Sequence, residues 1–250
     1  MNSPRRTRDR GALVFPLILA ITAAAAVACA RGASPVGLWV FVFVLGGWLI
    51  TLCLHEFAHA VVSLAGGDTS VRERGYLTLN LLRYTDPANS FIIPLVLLAI
   101  GGIPLPGGAV LVEPGRLRYR WWSSLVSAAG PVTNLLAGIV LTLVATPIDS
   151  VLGSAVAFLA LIQFVVAILN ILPVPGFDGF GVITPYLSNR FLQQIQPYRQ
   201  WAPLGVFAIL WGVPGASGWL FAVASHLFDL AGGNNLQAYD GQSLFLFWRN

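Results

Sequence analysis

Two histidines four residues apart, with a glutamate directly after the first, make up the run His55-Glu56-Phe57-Ala58-His59. Positions i and i+4 share one face of an α-helix. Both imidazoles therefore project to the same side, where they can ligate a single metal ion, and zinc is the metal this spacing suits. Glu56 stands beside them as the general base for a water that the metal activates. From Pro35 to Gly67 the only charged residue is Glu56, and the only histidines are His55 and His59. An ionisable side chain at membrane depth is costly unless it is paired or functional. The alternative is a polar brace between helices, which membrane proteins build from uncharged Ser, Thr and Asn.

A catalytic zinc site needs a third protein ligand and leaves a fourth position for water. Asp178 is the candidate. It is the only acidic residue between Asp149 and Asp229, and it follows the break Pro173-Val174-Pro175-Gly176-Phe177. An apolar helix ends there, at the membrane face that the motif-bearing helix also reaches. Read alone, Asp178-Gly179 is a common turn pair; beside the His-Glu-x-x-His run we read it as a ligand. At 1.5 Å per residue, His59 lies about 10 Å and His55 about 16 Å in from Gly66, and Asn134 about 18 Å in from Trp122. The ligands and a polar amide thus share one layer.

The elements that must position these groups are helices in a bilayer. The chain is 56% hydrophobic and 10% charged, against about 25% charged in soluble domains, so an all-α polytopic membrane protein is expected. All fourteen basic residues are Arg. They cluster beside apolar segments, and no basic stripe with interleaved aromatics appears, which sets nucleic acid aside as a partner. Cys29 and Cys53 lie in apolar segments and read as small buried hydrophobes, with Cys53 facing away from the metal.

Five or six transmembrane helices are expected. The first, about 12–30, follows the Arg5–Arg10 cluster and is read as retained rather than as a cleaved signal, because it is long enough to span. Others are expected at about 36–65, 122–146 and 151–172. Residues 201–230 read either as one kinked helix or as a tight hairpin. Residues 91–112 have Gly and Pro breaks between arginine-bearing flanks, which predicts a re-entrant segment. Residues 76–84 alternate in part, as a short β-hairpin or as a strand whose edge holds a peptide by β-augmentation. The tail, 231–250, reads as interfacial, and His226 as an interfacial side chain. A single domain is expected over 1–250, with a core at about 36–190 flanked by 12–30 and 201–230. A multi-pass protein of a bacterial cytoplasmic membrane is expected, and the arginine distribution puts residue 1 inside.

Three blocks in order, His55-Glu56-Phe57-Ala58-His59, Gly130-Pro131-Val132-Thr133-Asn134, and Asn170-Ile171-Leu172-Pro173 leading to Phe177-Asp178-Gly179, resemble the site-2 protease family of intramembrane zinc metalloproteases. The resemblance covers about residues 40–190. It implies one zinc ion on His55, His59 and Asp178, Glu56 activating water, and Asn134 and Asn170 contacting the substrate backbone or transition state. Helix–helix bonding is the alternative for the two asparagines. It further implies a transmembrane protein as substrate, cut within or near its bilayer helix. The chain is similar to the compact members that carry no PDZ or CBS domain. Two other readings are a zinc protease working at the aqueous face with Glu73 or Glu113 as third ligand, and a metal transporter or inactive metal-binding protein.

Overall fold

The computed structural model describes residues 11, 13–80, 113–199 and 201–249. Ten α-helices run through them: α1 (Val14–Ala30), α2 (Val36–Gly66), α3 (Ser70–Glu73), α4 (Arg120–Ala145), α5 (Val151–Ile171), α6 (Asp178–Ile183), α7 (Asn189–Ile195), α8 (Ala202–Gly212), α9 (Ala216–Leu230) and α10 (Asn235–Phe245). No strand occurs among the described residues.

The centre of the molecule is α5. It is apolar all round, as a helix surrounded by protein should be, and all but five of its 21 residues are buried. Small residues let its neighbours close in. A side chain at Gly138 of α4 would press on the Phe164 ring, and one at Gly47 of α2 would meet Leu159 at 2.4 Å. Helix α4 runs antiparallel to both α2 and α5, and turns Leu135, Leu136, Val140 and Leu143 outward, as lipid-facing residues would be. Helix α1 crosses α2 where Gly46 admits Thr22; a Cβ on Gly46 would lie 2.0 Å from the Thr22 Oγ1.

Among the described residues, three helices are long and apolar enough to cross a membrane (α2, α4 and α5), or four if α8 and α9 count as one broken span. These account for three or four of the five or six expected. Helix α1 begins at Val14 and reaches only 17 residues. Residues 201–230, expected as one kinked helix or a tight hairpin, form two helices, α8 and α9. They break at Val213-Pro214-Gly215, with Gly215 at φ +86°, and the two halves meet at 95°. Residues 76–80 form no strand. The rest of the expected 76–84 segment, and the re-entrant segment 91–112, lie outside the described residues.

The tail, expected to be interfacial, folds into α10 and packs one face of it on the bundle, while Leu236, Tyr239, Phe247 and Trp248 stay exposed. Phe245 is fully buried, stacked on Phe41 at 5.2 Å and tilted against Phe158 at 5.4 Å. Gly241 lets α10 close onto α5, since a Cβ there would lie 2.0 Å from the Ser154 carbonyl. Gln237 then donates from Nε2 to the Ile148 carbonyl at 2.8 Å, near the end of α4.

Candidate metal centre

Helix α2 brings His55 and His59 to its inner face, one turn apart, and buries both along with Glu56, which is 2% exposed. The helix ends at Gly67, whose φ of +111° is the left-handed value of a glycine C-terminal cap. Asp68 N–H then bonds back to the Ser63 carbonyl at 3.1 Å.

Each imidazole is fixed from its far side. The His59 Nδ1–H donates to the backbone carbonyl of Val126 at 2.6 Å. A carbonyl only accepts, so the proton sits on Nδ1 and the Nε2 lone pair is free for a metal. His55 Nδ1 meets Asn134 Oδ1 at 2.5 Å, which sets the same tautomer. Metal-binding histidines are held in this way by their outer partners.

Asp178 arrives by another route. After α5, the chain turns at Gly176, φ +98°, and starts α6 at Asp178. Gly179 lets α6 sit on the end of α5: a Cβ there would lie 2.0 Å from the Ile171 carbonyl. Ser124 of α4 donates to the Val182 carbonyl at 2.7 Å, and Gly181 packs on Ser127. Docked on two helices, α6 aims its first side chain at the histidines.

The three ligand atoms form a small triangle. The His55 and His59 Nε2 atoms are 3.1 Å apart. Asp178 Oδ2 is 3.2 Å from His55 Nε2, and Oδ1 is 3.4 Å from His59 Nε2. A tetrahedron with ligands 2.0–2.1 Å from its centre has edges of about 3.3–3.4 Å, so the spacing fits zinc. The chemistry fits as well. With both histidines in that tautomer, two lone pairs and a carboxylate converge on one point, and the buried Asp178 Oδ2 faces only the His55 Nε2. A cation is what such a donor set lacks. No other group of three or more such side chains able to hold a metal occurs among the described residues.

Gly130 of α4 forms the wall of this triangle. A Cβ there would lie 2.4 Å from His55 Nε2 and 2.5 Å from His59 Nε2. Its sequence block is legible, but nothing in the spacing says that its missing side chain leaves room for the imidazoles. Gln163 is a second residue that sequence reasoning missed. It is fully buried and accepts from Asn134 Nδ2 at 2.8 Å. The available signal was a lone polar residue in the apolar run from Ala155 to Leu169.

Of the remaining candidates only Asn134 touches a residue of the triangle. Asn134 is buried between His55 and Gln163. Asn170 is buried at the end of α5, and no hydrogen bond among the described residues ties it to the triangle. Glu113 is engaged by Arg74 and Arg116, Glu73 is exposed, and His226 is exposed on α9. Just beyond the end of α2, Asp68 is fully buried. Burial alone would raise its carboxyl. The Ser70 hydroxyl and N–H, the Glu113 N–H and the Arg116 charge reverse that and hold it below the ordinary value of 3.8.

The sequence is 38% identical to the provisionally named zinc metalloprotease Rip2 of Mycolicibacterium smegmatis, over 98% of this chain and 97% of the relative. It is 41% identical to the Rip2 protein of Mycobacterium tuberculosis over 84% and 82%. A provisionally named zinc metalloprotease of Bacillus subtilis, YwhC, is 27% identical over 54% of this chain and 64% of its own length. No family model matches the chain, and no solved structure matches it.

Proposed function

This chain belongs to the site-2 protease family of zinc metalloproteases, and from that premise we propose that it cuts a peptide bond inside the membrane, within or near the transmembrane helix of a protein substrate. It is a membrane protein and a zinc metalloprotease; the intramembrane cut is our reading. The observation that carries it is the depth of the ligand triangle. His59 is seven and His55 eleven residues in from the end of a 31-residue apolar helix, or about 10 and 16 Å. A water-consuming site so far inside an apolar bundle suits a substrate that is itself in the bilayer.

His55, His59 and Asp178 would hold one zinc ion. Zinc bound there would supply a Lewis acid for the scissile carbonyl and a water made nucleophilic near neutral pH. Glu56, buried on the same helix, would be the general base and acid, accepting a proton from the attacking water and donating one to the leaving amine. The Nδ1 bonds to Asn134 and Val126 fix the orientation of both rings, with Nε2 turned toward the metal position. Asn170, buried at the end of α5, would contact the substrate backbone in this reading.

One experiment tests both parts. Glu56→Gln should keep zinc and lose cleavage of a model transmembrane substrate by about 10²–10⁴-fold. Asp178→Ala should lose tight zinc by metal analysis. A Glu56→Gln protein with more than a tenth of wild-type cleavage would remove the base role, and undiminished tight zinc in Asp178→Ala would remove that ligand.

A further inference from the structure

We propose that Gln163, in the middle of α5, is a positioning residue that sets the tautomer of His55 through Asn134. The proposal rests on the zinc reading above. A polar chain crosses three helices: His55 Nδ1 on α2 meets Asn134 Oδ1 on α4 at 2.5 Å, and Asn134 Nδ2 donates to Gln163 Oε1 on α5 at 2.8 Å. All three residues are buried.

Proton bookkeeping makes the order of these bonds necessary. For Nε2 of His55 to offer a lone pair to the metal, its proton must sit on Nδ1. Nδ1–H then needs an acceptor, so Asn134 must present Oδ1 rather than its amide nitrogen. An asparagine amide turns over at little intrinsic cost, and its two ends have the same shape. Reversed, it would donate to Nδ1, move the proton to Nε2 and block the ligand. His59 has no such ambiguity, because its partner is a backbone carbonyl. Asn134 therefore needs something beyond to hold its direction.

Gln163 does this by accepting. Its Oε1 takes the Asn134 N–H, which fixes Oδ1 toward the histidine. The consequence is visible at its other end: Gln163 Nε2 is buried with no partner among the described residues. A buried donor left without a bond costs about 1–3 kcal/mol. Gln163 is also the only polar side chain between Ala155 and Leu169. If it were a brace between α4 and α5 alone, either end of its amide could face Asn134. The geometry shows the accepting end, with the donor left over.

The test is a double-mutant cycle on the full chain in detergent. Gln163→Met keeps length and apolar packing but removes the acceptor. Zinc affinity, measured by competition with a chelator, should fall about 10–100-fold, the usual effect of losing an outer partner of a ligating histidine. In an Asn134→Asp background both ends of residue 134 accept, and no direction has to be set. There Gln163→Met should leave zinc affinity where Asn134→Asp alone leaves it. With only three histidines in the chain, ¹⁵N-histidine spectra of the metal-free protein read the tautomer directly. Wild type should show the Nδ1-protonated form at His55, and Gln163→Met a mixture.

An equal loss in both backgrounds, or an unchanged tautomer in Gln163→Met, overturns the proposal and leaves Gln163 a structural brace. His55→Ala is the separate control. Undiminished zinc in that variant would sink the metal-site reading itself, independently of Gln163.

Discussion

Gly130 shows how much of the site depends on an atom that is missing. Its Cα faces the gap between the imidazoles, and one added methyl would lie within 2.5 Å of both Nε2 atoms. Helix α4 cannot easily withdraw, because its Val126 carbonyl and Asn134 side chain hold those same rings. Gly130→Ala should therefore fold, since alanine favours a helix over glycine by about 1 kcal/mol. It should nonetheless weaken zinc at least about tenfold, the lower end of the effect of disturbing a ligand's support. A chelator titration beside a thermal melt checks this; unchanged zinc binding would mean that the rings have room to turn. At this scale the sequence is legible where chemistry is written in residue type. His55, Glu56 and His59 declare themselves by spacing, and Asp178 by its isolation at a helix break. Gly130, Gln163 and the Val126 carbonyl do not, because a helical glycine, a lone buried amide and a backbone oxygen acquire meaning only from a neighbouring helix.

Among the elements, α2, α4 and α5 could be read from their apolar length, and their observed ends fall close to those expected. The joints are less legible. Val213-Pro214-Gly215 announces a break, but the 95° angle is set by Phe207 and Leu210 on one side and Phe228 on the other finding the same core. Likewise, Leu244 to Trp248 looks the same in sequence whether it lies at an interface or stacks on Phe41. The joint beyond α2 carries its own prediction. Asp68 binds Ser70 through Oδ1 and the Glu113 N–H through Oδ2 at 2.9 Å. It thereby ties the end of the motif helix to the strand of chain that leads into α4. Its folded carboxyl titrates below the ordinary 3.8, so the charged form is the one that stabilises. That contribution is complete above the unfolded value, at about pH 5 and higher, and is lost as pH falls through the depressed folded value. Asp68→Ala should cost about 1–3 kcal/mol at pH 7 and should flatten the acid limb of a melting-temperature profile taken from pH 7 to pH 3. A variant whose acid limb matches wild type would show that the tie contributes nothing there.

At the scale of the whole molecule, the arginines among the described residues are sorted by end. Arg72, Arg74, Arg116, Arg118, Arg120, Arg190 and Arg199 gather where α2 ends, α4 begins and α6 docks. The opposite end has Arg31 and Arg249 with Asp149, Asp229 and Asp240. Short cytoplasmic segments are enriched in Arg, so in our reading the end nearest the metal centre faces the cytoplasm. The ligand triangle then lies about 10–16 Å in from that face, and a substrate bond in the far leaflet could not reach it without a large displacement. A bond in the near half is reachable only once its helical hydrogen bonds open. Gly lowers that cost by about 1 kcal/mol and Pro by about 3 kcal/mol relative to Ala. Cleavage should therefore map to the cytoplasmic half of the substrate helix. Replacing Gly and Pro in that half with Ala or Leu should slow it roughly five- to a hundredfold, as those energies imply. The same changes in the outer half should matter little. Mass spectrometry of the product ends gives the site, and a cut in the outer leaflet or in a soluble loop would contradict the intramembrane reading while leaving the metal centre intact.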